Sequence, residues 1–253
     1  MCIRDSGDTS TRSVSLNDMI RHAKSVRSGV KKALMVVDMP YGTCKNPLMA
    51  KKNALRIIKE TKCDAVKLEG GKEIRYIIQY LIKNKINVMG HIGLLPQKIQ
   101  SKKDYKIKGI NSVEKNKILN DLKNIQETGV FAIVLEAVKS ETAKEVMKLS
   151  KVPIIGIGAS QKCDGQILVL EDMLGMFKKV PKFVKKYSNL RGYIKKAVKD
   201  IKTGLVEIRN DKDGNLASTI GRKSYSSEKL LENFNHFIES VKKEKPESIK
   251  GEF

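Results

Sequence analysis

The sequence predicts an α/β protein of the (β/α)₈ TIM barrel type. Six short apolar runs alternate with segments of helical periodicity, and these runs are continuous, as in strands that are buried on both faces. Alternation alone fits both a doubly wound sheet and a barrel. Polar or ionisable residues at the ends of several runs favour the barrel, because its site draws on many strand ends at once. Since a barrel needs eight strands, we expect the first two to be missing from this chain.

Each element is predicted from its own pattern. The apolar runs are residues 33–40, 64–71, 86–92, 131–136, 152–158 and 165–170. The helices that precede or separate them cover about 15–28, 47–61, 73–84, 112–127 and 140–149. Ser15 and Ser112 are expected to cap the first and fourth of these helices. The spacing of apolar residues places Leu48 and Val113 among the side chains that face inward.

The chain divides into three parts by pattern. We expect 1–9 to be a leader unrelated to the fold, 10–209 to form the partial barrel with its C-terminal helices, and 210–253 to be a basic tail without an assigned function. The tail holds a turn at 211–214 and an amphipathic helix at about 226–242. A lysine-rich loop at 98–110 could fold over the site.

The charge balance is strongly basic, with 50 Lys and Arg against 28 Asp and Glu. A nucleic-acid partner is one interpretation, but the basic residues are spread along the chain, which favours a solvated surface that attracts small anions. No apolar run is long enough to cross a membrane, and no secretory signal is present. Four cysteines without a C-x-x-C spacing indicate reduced thiols. We therefore expect a cytoplasmic protein with neither a membrane nor a nucleic-acid partner.

Five residues at strand ends carry the candidate chemistry: Asp38, Lys67, Glu69, His91 and Glu136. Lys67 and Glu69 lie two residues apart, so they project from the same side of one strand. Carboxylate oxygens suit Mg²⁺, a lysine can stabilise developing negative charge, and a further carboxylate can act as a general base. The pattern predicts a metal-assisted barrel enzyme that acts on a small anion.

The glycine-rich stretch 156–160 does not predict a dinucleotide site. It lacks the G-x-G-x-x-G spacing and the acidic residue at the next strand end, so NAD binding is not expected. Close approach to a ligand and tight packing both remain open as reasons for these glycines.

Several motifs together resemble ketopantoate hydroxymethyltransferase, over roughly residues 10–203. They are VDMP at 37–40, VKLEGG at 66–71, GHIGLLPQ at 90–97, VLE at 134–136, PIIGIGA at 153–159 and DGQILV at 164–169. The resemblance implies a barrel of the phosphoenolpyruvate/pyruvate type that assembles as a homo-oligomer, a decamer in the family. The implied reaction transfers a hydroxymethyl group from 5,10-methylenetetrahydrofolate to 3-methyl-2-oxobutanoate and gives 2-dehydropantoate, an early step towards pantothenate and coenzyme A.

The resemblance also implies a role for each strand-end residue. Asp38 resembles the aspartate that binds both Mg²⁺ and the keto acid, and Glu69 resembles the second acidic residue at the metal. Lys67 resembles the substrate-binding lysine and Glu136 the proton acceptor, while His91 would bind or support substrate.

One departure from the family and two alternative functions remain. The family's Gly-Asp-Ser motif, which supplies a further metal ligand, has no clear counterpart, because Gly7-Asp-Thr9 lies too close to the first helix. We therefore expect an incomplete metal site. Another Mg²⁺-dependent lyase of 2-oxo acids from the same superfamily, or a basic nucleic-acid-binding protein, are the alternatives.

Overall fold

The computed structural model describes residues 10–101, 104–202, 209–210, 216–217 and 225–244. The chain forms two compact units. The first unit contains the described residues up to Glu171 together with Pro181–Lys185, and the second contains Asp172–Val180 and the described residues from Lys186 onward. The boundary expected at 209–210 falls inside the second unit.

The first unit contains a six-stranded sheet, as the sequence predicts. Its strands are β1 (Val36–Asp38), β2 (Ala65–Glu69), β3 (Val88–Gly93), β4 (Ala132–Glu136), β5 (Ile154–Ile157) and β6 (Gly165–Gln166). All neighbours are parallel, and the strand order follows the chain from β1 to β6. A doubly wound sheet would reverse its order at a switch point. The sheet is therefore a curled half-barrel, in agreement with a partial TIM barrel.

Helices precede or follow the strands along the chain, and those up to Leu149 cover one face of the sheet. They are α1 (Leu16–Gly29), α2 (Pro47–Thr61), α3 (Arg75–Lys83), α4 (Ser112–Gln126), α5 (Ser140–Leu149) and α6 (Leu170–Met173), with single 3₁₀ turns at Lys72–Ile74 and Pro96–Lys98. The core between helices and sheet includes the fully buried Ile57, Ile78, Leu81, Leu122, Ile125, Ile133 and Leu135. Because these side chains fill the outer face, alternate residues of each strand point to the concave face.

Two details in this part of the chain differ from the sequence predictions, and one agrees. The last strand was expected over 165–170 but covers only Gly165–Gln166, and α6 begins at Leu170. The cap of α4 is Asn111 and not Ser112, since the Asn111 side chain accepts a hydrogen bond from the Glu114 amide at 2.9 Å. Ser15 does cap α1, and Asp18 completes a capping box.

Leu48 and Val113 do not face inward. They are 71% and 77% exposed, respectively. The buried side of α2 follows Ala50, Ala54 and Ile57, and Leu48 is two residues, or about 200°, away from Ala50 on the helix. Val113 lies off the buried stripe of α4 in the same manner. Apolar character alone did not identify the stripe.

The lysine-rich loop returns to the end of β4. The Lys108 amide donates to the Ala137 carbonyl at 2.8 Å, and the Lys139 amide donates to the Lys108 carbonyl at 2.9 Å. The Thr142 hydroxyl donates to the Gly109 carbonyl at 2.8 Å. These bonds place the far end of the loop beside the strand that carries Glu136.

The second unit has a different make-up. It contains α7 (Leu190–Lys202), an antiparallel pair of β7 (Arg209–Asn210) with β8 (Leu216–Ala217), and α8 (Ser227–Glu244). The helix expected at about 226–242 is present as α8. The turn expected at 211–214 lies outside the described residues, between β7 and β8. No described helix of either unit is long and apolar enough to cross a membrane.

Candidate active site

The strand ends bring the predicted site residues to one face of the sheet. The pairing register sets Asp38 opposite Lys67, Glu69 opposite His91, and Gly93 opposite Glu136. Paired residues of parallel strands point to the same side, so all five predicted side chains lie on the concave face near the carboxyl ends. Active sites of barrels are built at this end of the sheet.

Four of these residues form a continuous chain of contacts across β1 to β4. The Lys67 ammonium lies 3.0 Å from Asp38 Oδ1 and 3.1 Å from His91 Nδ1. His91 Nε2 lies 3.3 Å from Glu136 Oε2. The sequence proposed all four residues, but only the register shows that His91 connects Lys67 with Glu136.

The charges of the buried pair stabilise each other. Burial by itself would raise the pKa of Asp38, but attraction by the Lys67 ammonium brings that pKa well below its ordinary value. Burial would likewise lower the pKa of Lys67, and Asp38, followed by Glu69, raises it above its usual value. Lys67 is therefore a permanent cation at neutral pH, surrounded by carboxylates.

The contacts of His91 assign its tautomer. An ammonium group has only donors, so Nδ1 must accept the bond from Lys67 and the ring proton lies on Nε2. His91 is 2% exposed, and Nε2 makes no hydrogen bond of good geometry to any residue that the structure describes, although Glu136 Oε2 lies 3.3 Å away.

Glu69 is held from a different direction. Its Oε2 accepts a hydrogen bond from the backbone amide of Gln97 at 2.9 Å. The Gln97 side chain donates in turn to the carbonyl of Met39 at 2.9 Å. Gln97 lies in the motif at 90–97, but the sequence predicts no role for it. Glu69 is 28 residues away in the chain, and a contact over that separation has no local signal.

A cavity of about 230 Å³ adjoins Glu69. It is lined by Met39, Pro40, Tyr41, Gly42, Cys44, Lys45, Leu68, Glu69, Ile74, Gln97 and Lys98. Asp38, Lys67, His91 and Glu136 lie outside its lining. The cavity therefore offers space for a ligand on the β1–β2 side of the site, with a mainly apolar wall and two lysines.

The glycine-rich end of β5 is explained by packing. Gly158 has φ of +62°, and a Cβ at this position would lie 2.6 Å from the Phe183 ring. The backbone conformation disfavours any side chain at this position, and a side chain would also clash with the Phe183 ring.

The three cysteines that the structure describes have no activated thiol. Burial raises the pKa of the Cys44 thiol to about 11 and also raises the pKa values of Cys63 and Cys163. Cys2 lies outside the described residues.

The chain is similar over most of its length to proteins of one family. Residues 3–207 match the family model described as ketopantoate hydroxymethyltransferase. A 3-methyl-2-oxobutanoate hydroxymethyltransferase from Pelagibacter ubique (strain HTCC1062) is 53% identical over 198 residues, which are 78% of this chain and 76% of that protein. A second protein of this name, from Zymomonas mobilis, is 47% identical over 200 residues, which are 79% of this chain and 73% of that protein.

Two further matches concern the fold and the C-terminal part. A 2,3-dimethylmalate lyase of the PEP mutase/isocitrate lyase superfamily gives a TM-score of 0.49 at 14% identity, covering 95% of this chain and 80% of the other. Residues 165–252 match a second family model, described as ribosomal protein L1p/L10e. The two family matches overlap over residues 165–207.

Proposed function

The chain belongs to the ketopantoate hydroxymethyltransferase family, and we propose that it transfers a hydroxymethyl group to 3-methyl-2-oxobutanoate, giving 2-dehydropantoate. The donor in this proposal is 5,10-methylenetetrahydrofolate. The observation that carries the proposal is the contact chain Asp38–Lys67–His91–Glu136 at the strand ends. It brings a cation, Lys67, and a carboxylate that can act as a base, Glu136, to either side of His91, and the formation of an enolate needs both groups.

The carboxylates fit a bound Mg²⁺. Proteins hold this ion through one or two carboxylates and leave the other positions to water and substrate. Asp38 and Glu69 are two such donors on adjacent strands. No group of three or more His, Cys, Asp or Glu within the described ranges could hold an ion, so substrate and water would complete the shell. When bound, Mg²⁺ would polarise the keto carbonyl.

The protein's own residues account for the proton and charge movements. Lys67 binds the anionic substrate and stabilises the negative charge that develops on the keto oxygen. Glu136 removes the proton from C3, which leaves an electron pair that forms the new bond to the one-carbon unit. His91 bonds Lys67 through Nδ1, and its Nε2 lies 3.3 Å from Glu136 Oε2, where the ring limits the positions of that carboxylate. The two C–N bonds of the one-carbon unit break, and a water supplies the hydroxyl oxygen of the product. The two freed nitrogens of tetrahydrofolate take up the proton held by Glu136 and one proton of that water.

The test is the substitution Glu136→Gln, which keeps the shape and removes the base. We expect the turnover number to fall about 100-fold or more, while the Kd of the keto acid stays within about twofold. Exchange of the C3 proton of the keto acid in D₂O, followed by NMR, should fall in parallel and needs no folate. Glu141→Gln, on the exposed start of α5, is the matched control.

Two outcomes would contradict this proposal. Unchanged proton exchange in Glu136→Gln would remove Glu136 as the base. Cleavage of a 2-oxo acid without folate, together with no 2-dehydropantoate formation, would assign the chain to the lyase alternative.

We propose further that the protein acts as a homo-oligomer in the cytoplasm. Large apolar side chains at Leu34, Leu48, Ile110 and Val113 are each more than 60% exposed in the single chain, and subunit contacts would cover such surfaces. Light scattering coupled to size exclusion should report a mass several times 28.4 kDa. A monomer at micromolar concentration would contradict the proposal.

A second function is proposed for the second unit, namely binding to RNA. It departs from the sequence expectation of no nucleic-acid partner, and it rests on the match of residues 165–252 to a ribosomal protein family. Helix α7 supports it, because its sequence holds five basic residues and one acidic residue. Lys195→Glu with Lys196→Glu should weaken binding to structured RNA and reduce its salt dependence. Lys51→Glu with Lys52→Glu on α2 is the control, and no binding by the parent protein at 50 mM salt would refute the proposal.

A further inference from the structure

A short segment after β3 crosses the ends of the strands on which the site is built. We call residues 94–98 the strap. At one end the Leu94 amide donates to the Glu136 carbonyl at 2.9 Å. At the other end Gln97 bonds Glu69 and Met39, each at 2.9 Å. The strap therefore joins the carboxyl ends of β4, β2 and β1, which carry four of the five site residues.

The course of the strap is fixed on both sides. The residue before the strap is Gly93, and its φ of +94° turns the chain back over the sheet. The Thr11 hydroxyl donates to the Pro96 carbonyl at 3.2 Å. Lys98 pairs with Glu73, but both side chains are about half exposed, so this ion pair contributes little to the position of the strap. The two hydrogen bonds of Gln97 are better shielded from water than this ion pair.

Gln97 bonds one of the two proposed metal ligands and the residue that follows the other. It bonds Glu69 directly through its backbone amide. Its side chain bonds the carbonyl of Met39, the residue that follows Asp38, while the Met39 amide donates to the Lys67 carbonyl at 2.9 Å. The peptide next to Asp38 is thus held from both sides. A glutamate carboxylate can rotate about three bonds, so an anchored oxygen restricts where Glu69 can go.

We propose that Gln97 is a positioning residue that holds Glu69 and the end of β1 at the separation at which Asp38 and Glu69 bind one divalent cation. The inference rests on the proposed function and deepens it. Residues that orient metal ligands commonly change metal affinity by 10–100-fold when they are substituted. Gln97 acts on the proposed metal site through its bonds to Glu69 and Met39.

The test replaces Gln97 by Met, which keeps the volume of the side chain and removes its bond to the Met39 carbonyl. The backbone amide that bonds Glu69 stays, but it loses the anchor that fixes the strap to the end of β1. Mn²⁺ serves as the probe, and free Mn²⁺ is measured by electron paramagnetic resonance in the absence of substrate. We expect Gln97→Met to bind Mn²⁺ about 10-fold more weakly than the parent protein. Gln100→Met, at an exposed position three residues along the chain, is the matched control and should titrate as the parent protein does.

Kinetics separates positioning from general instability. In Gln97→Met the Mg²⁺ concentration for half-maximal rate should rise by the same factor, and kcat at saturating Mg²⁺ should return to within about twofold of the parent value. A smaller folded fraction would instead lower the rate at every Mg²⁺ concentration without moving the midpoint.

Each outcome decides the inference. Equal Mn²⁺ affinity of Gln97→Met and the parent protein would overturn it, and so would a parent protein that binds no Mn²⁺. The proposed function can fail separately: a parent protein that binds Mn²⁺ but forms no 2-dehydropantoate would refute the reaction, while the comparison of Mn²⁺ affinities would still decide the role of Gln97.

Discussion

Replacing Lys67 by Met tests the electrostatic design of the site. The substitution removes the cation that faces Asp38 at 3.0 Å and leaves a carboxylate that is 8% exposed without its main counter-charge. Removing one partner of a buried ion pair costs about 3–5 kcal/mol, because the remaining charge is shielded from water and has lost a close counter-charge. We expect a loss of this size in the free energy of unfolding of the first unit at pH 7.

The loss should depend on pH in a defined direction. In the parent protein the lowered pKa of Asp38 contributes stability above the pKa of the unfolded chain, and this contribution is lost as the pH falls through the folded value. Without Lys67 a main cause of the lowered pKa of Asp38 is gone, so that pKa should rise and the buried group should take up a proton at a higher pH than in the parent protein. The difference between Lys67→Met and the parent protein should therefore shrink between pH 7 and about pH 4.

Hydrogen exchange in increasing urea is the suitable assay, because it reports on the first unit alone. Peptides that cover β2 and β3 give the free energy of opening, and mass spectrometry identifies them. Lys115→Met is the control, since Lys115 pairs with Glu145 where both side chains are more than one third exposed, and about 0–1 kcal/mol is expected there. A loss below about 1 kcal/mol for Lys67→Met at pH 7, or a loss that does not change with pH, would refute the reasoning.

Three further predictions concern single residues. Gly93→Ala should destabilise the first unit by about 3 kcal/mol and lower turnover, because φ is +94° and the new Cβ would lie 2.5 Å from the Glu136 carbonyl oxygen. Urea unfolding measures the loss of stability, and a rate assay measures the loss of turnover. Cys44 should react with iodoacetamide about 100-fold more slowly at pH 8 than an ordinary thiol, because burial raises its pKa to about 11. Peptide mass spectrometry identifies the modified cysteine. A rate equal to that of a free thiol would contradict the burial of Cys44. Asn111→Ala should cost about 1 kcal/mol in the free energy of unfolding, whereas Ser112→Ala should cost a few tenths, because only Asn111 caps α4.

The strands and most helix bounds could be predicted from the sequence. The continuous apolar runs identified six strands, and α2 and α5 cover the residues that their apolar spacing and end signals predict. These features are local, since burial and capping act on residues that are close in the chain. Predictions that depended on which side of a helix faces the sheet failed at Leu48 and Val113, because a helix with scattered apolar residues offers more than one possible face.

The site, too, could be predicted from the sequence only in part. The sequence by itself selected the five strand-end residues and the family, because residue types at strand ends and short motifs are local and specific. Only the tertiary structure decided that Lys67 contacts both Asp38 and His91, that His91 reaches Glu136, and that Gln97 holds Glu69. The physical reason is the register of parallel strands together with the path of the strap: both join residues far apart in the chain, and no local pattern encodes the distances between them.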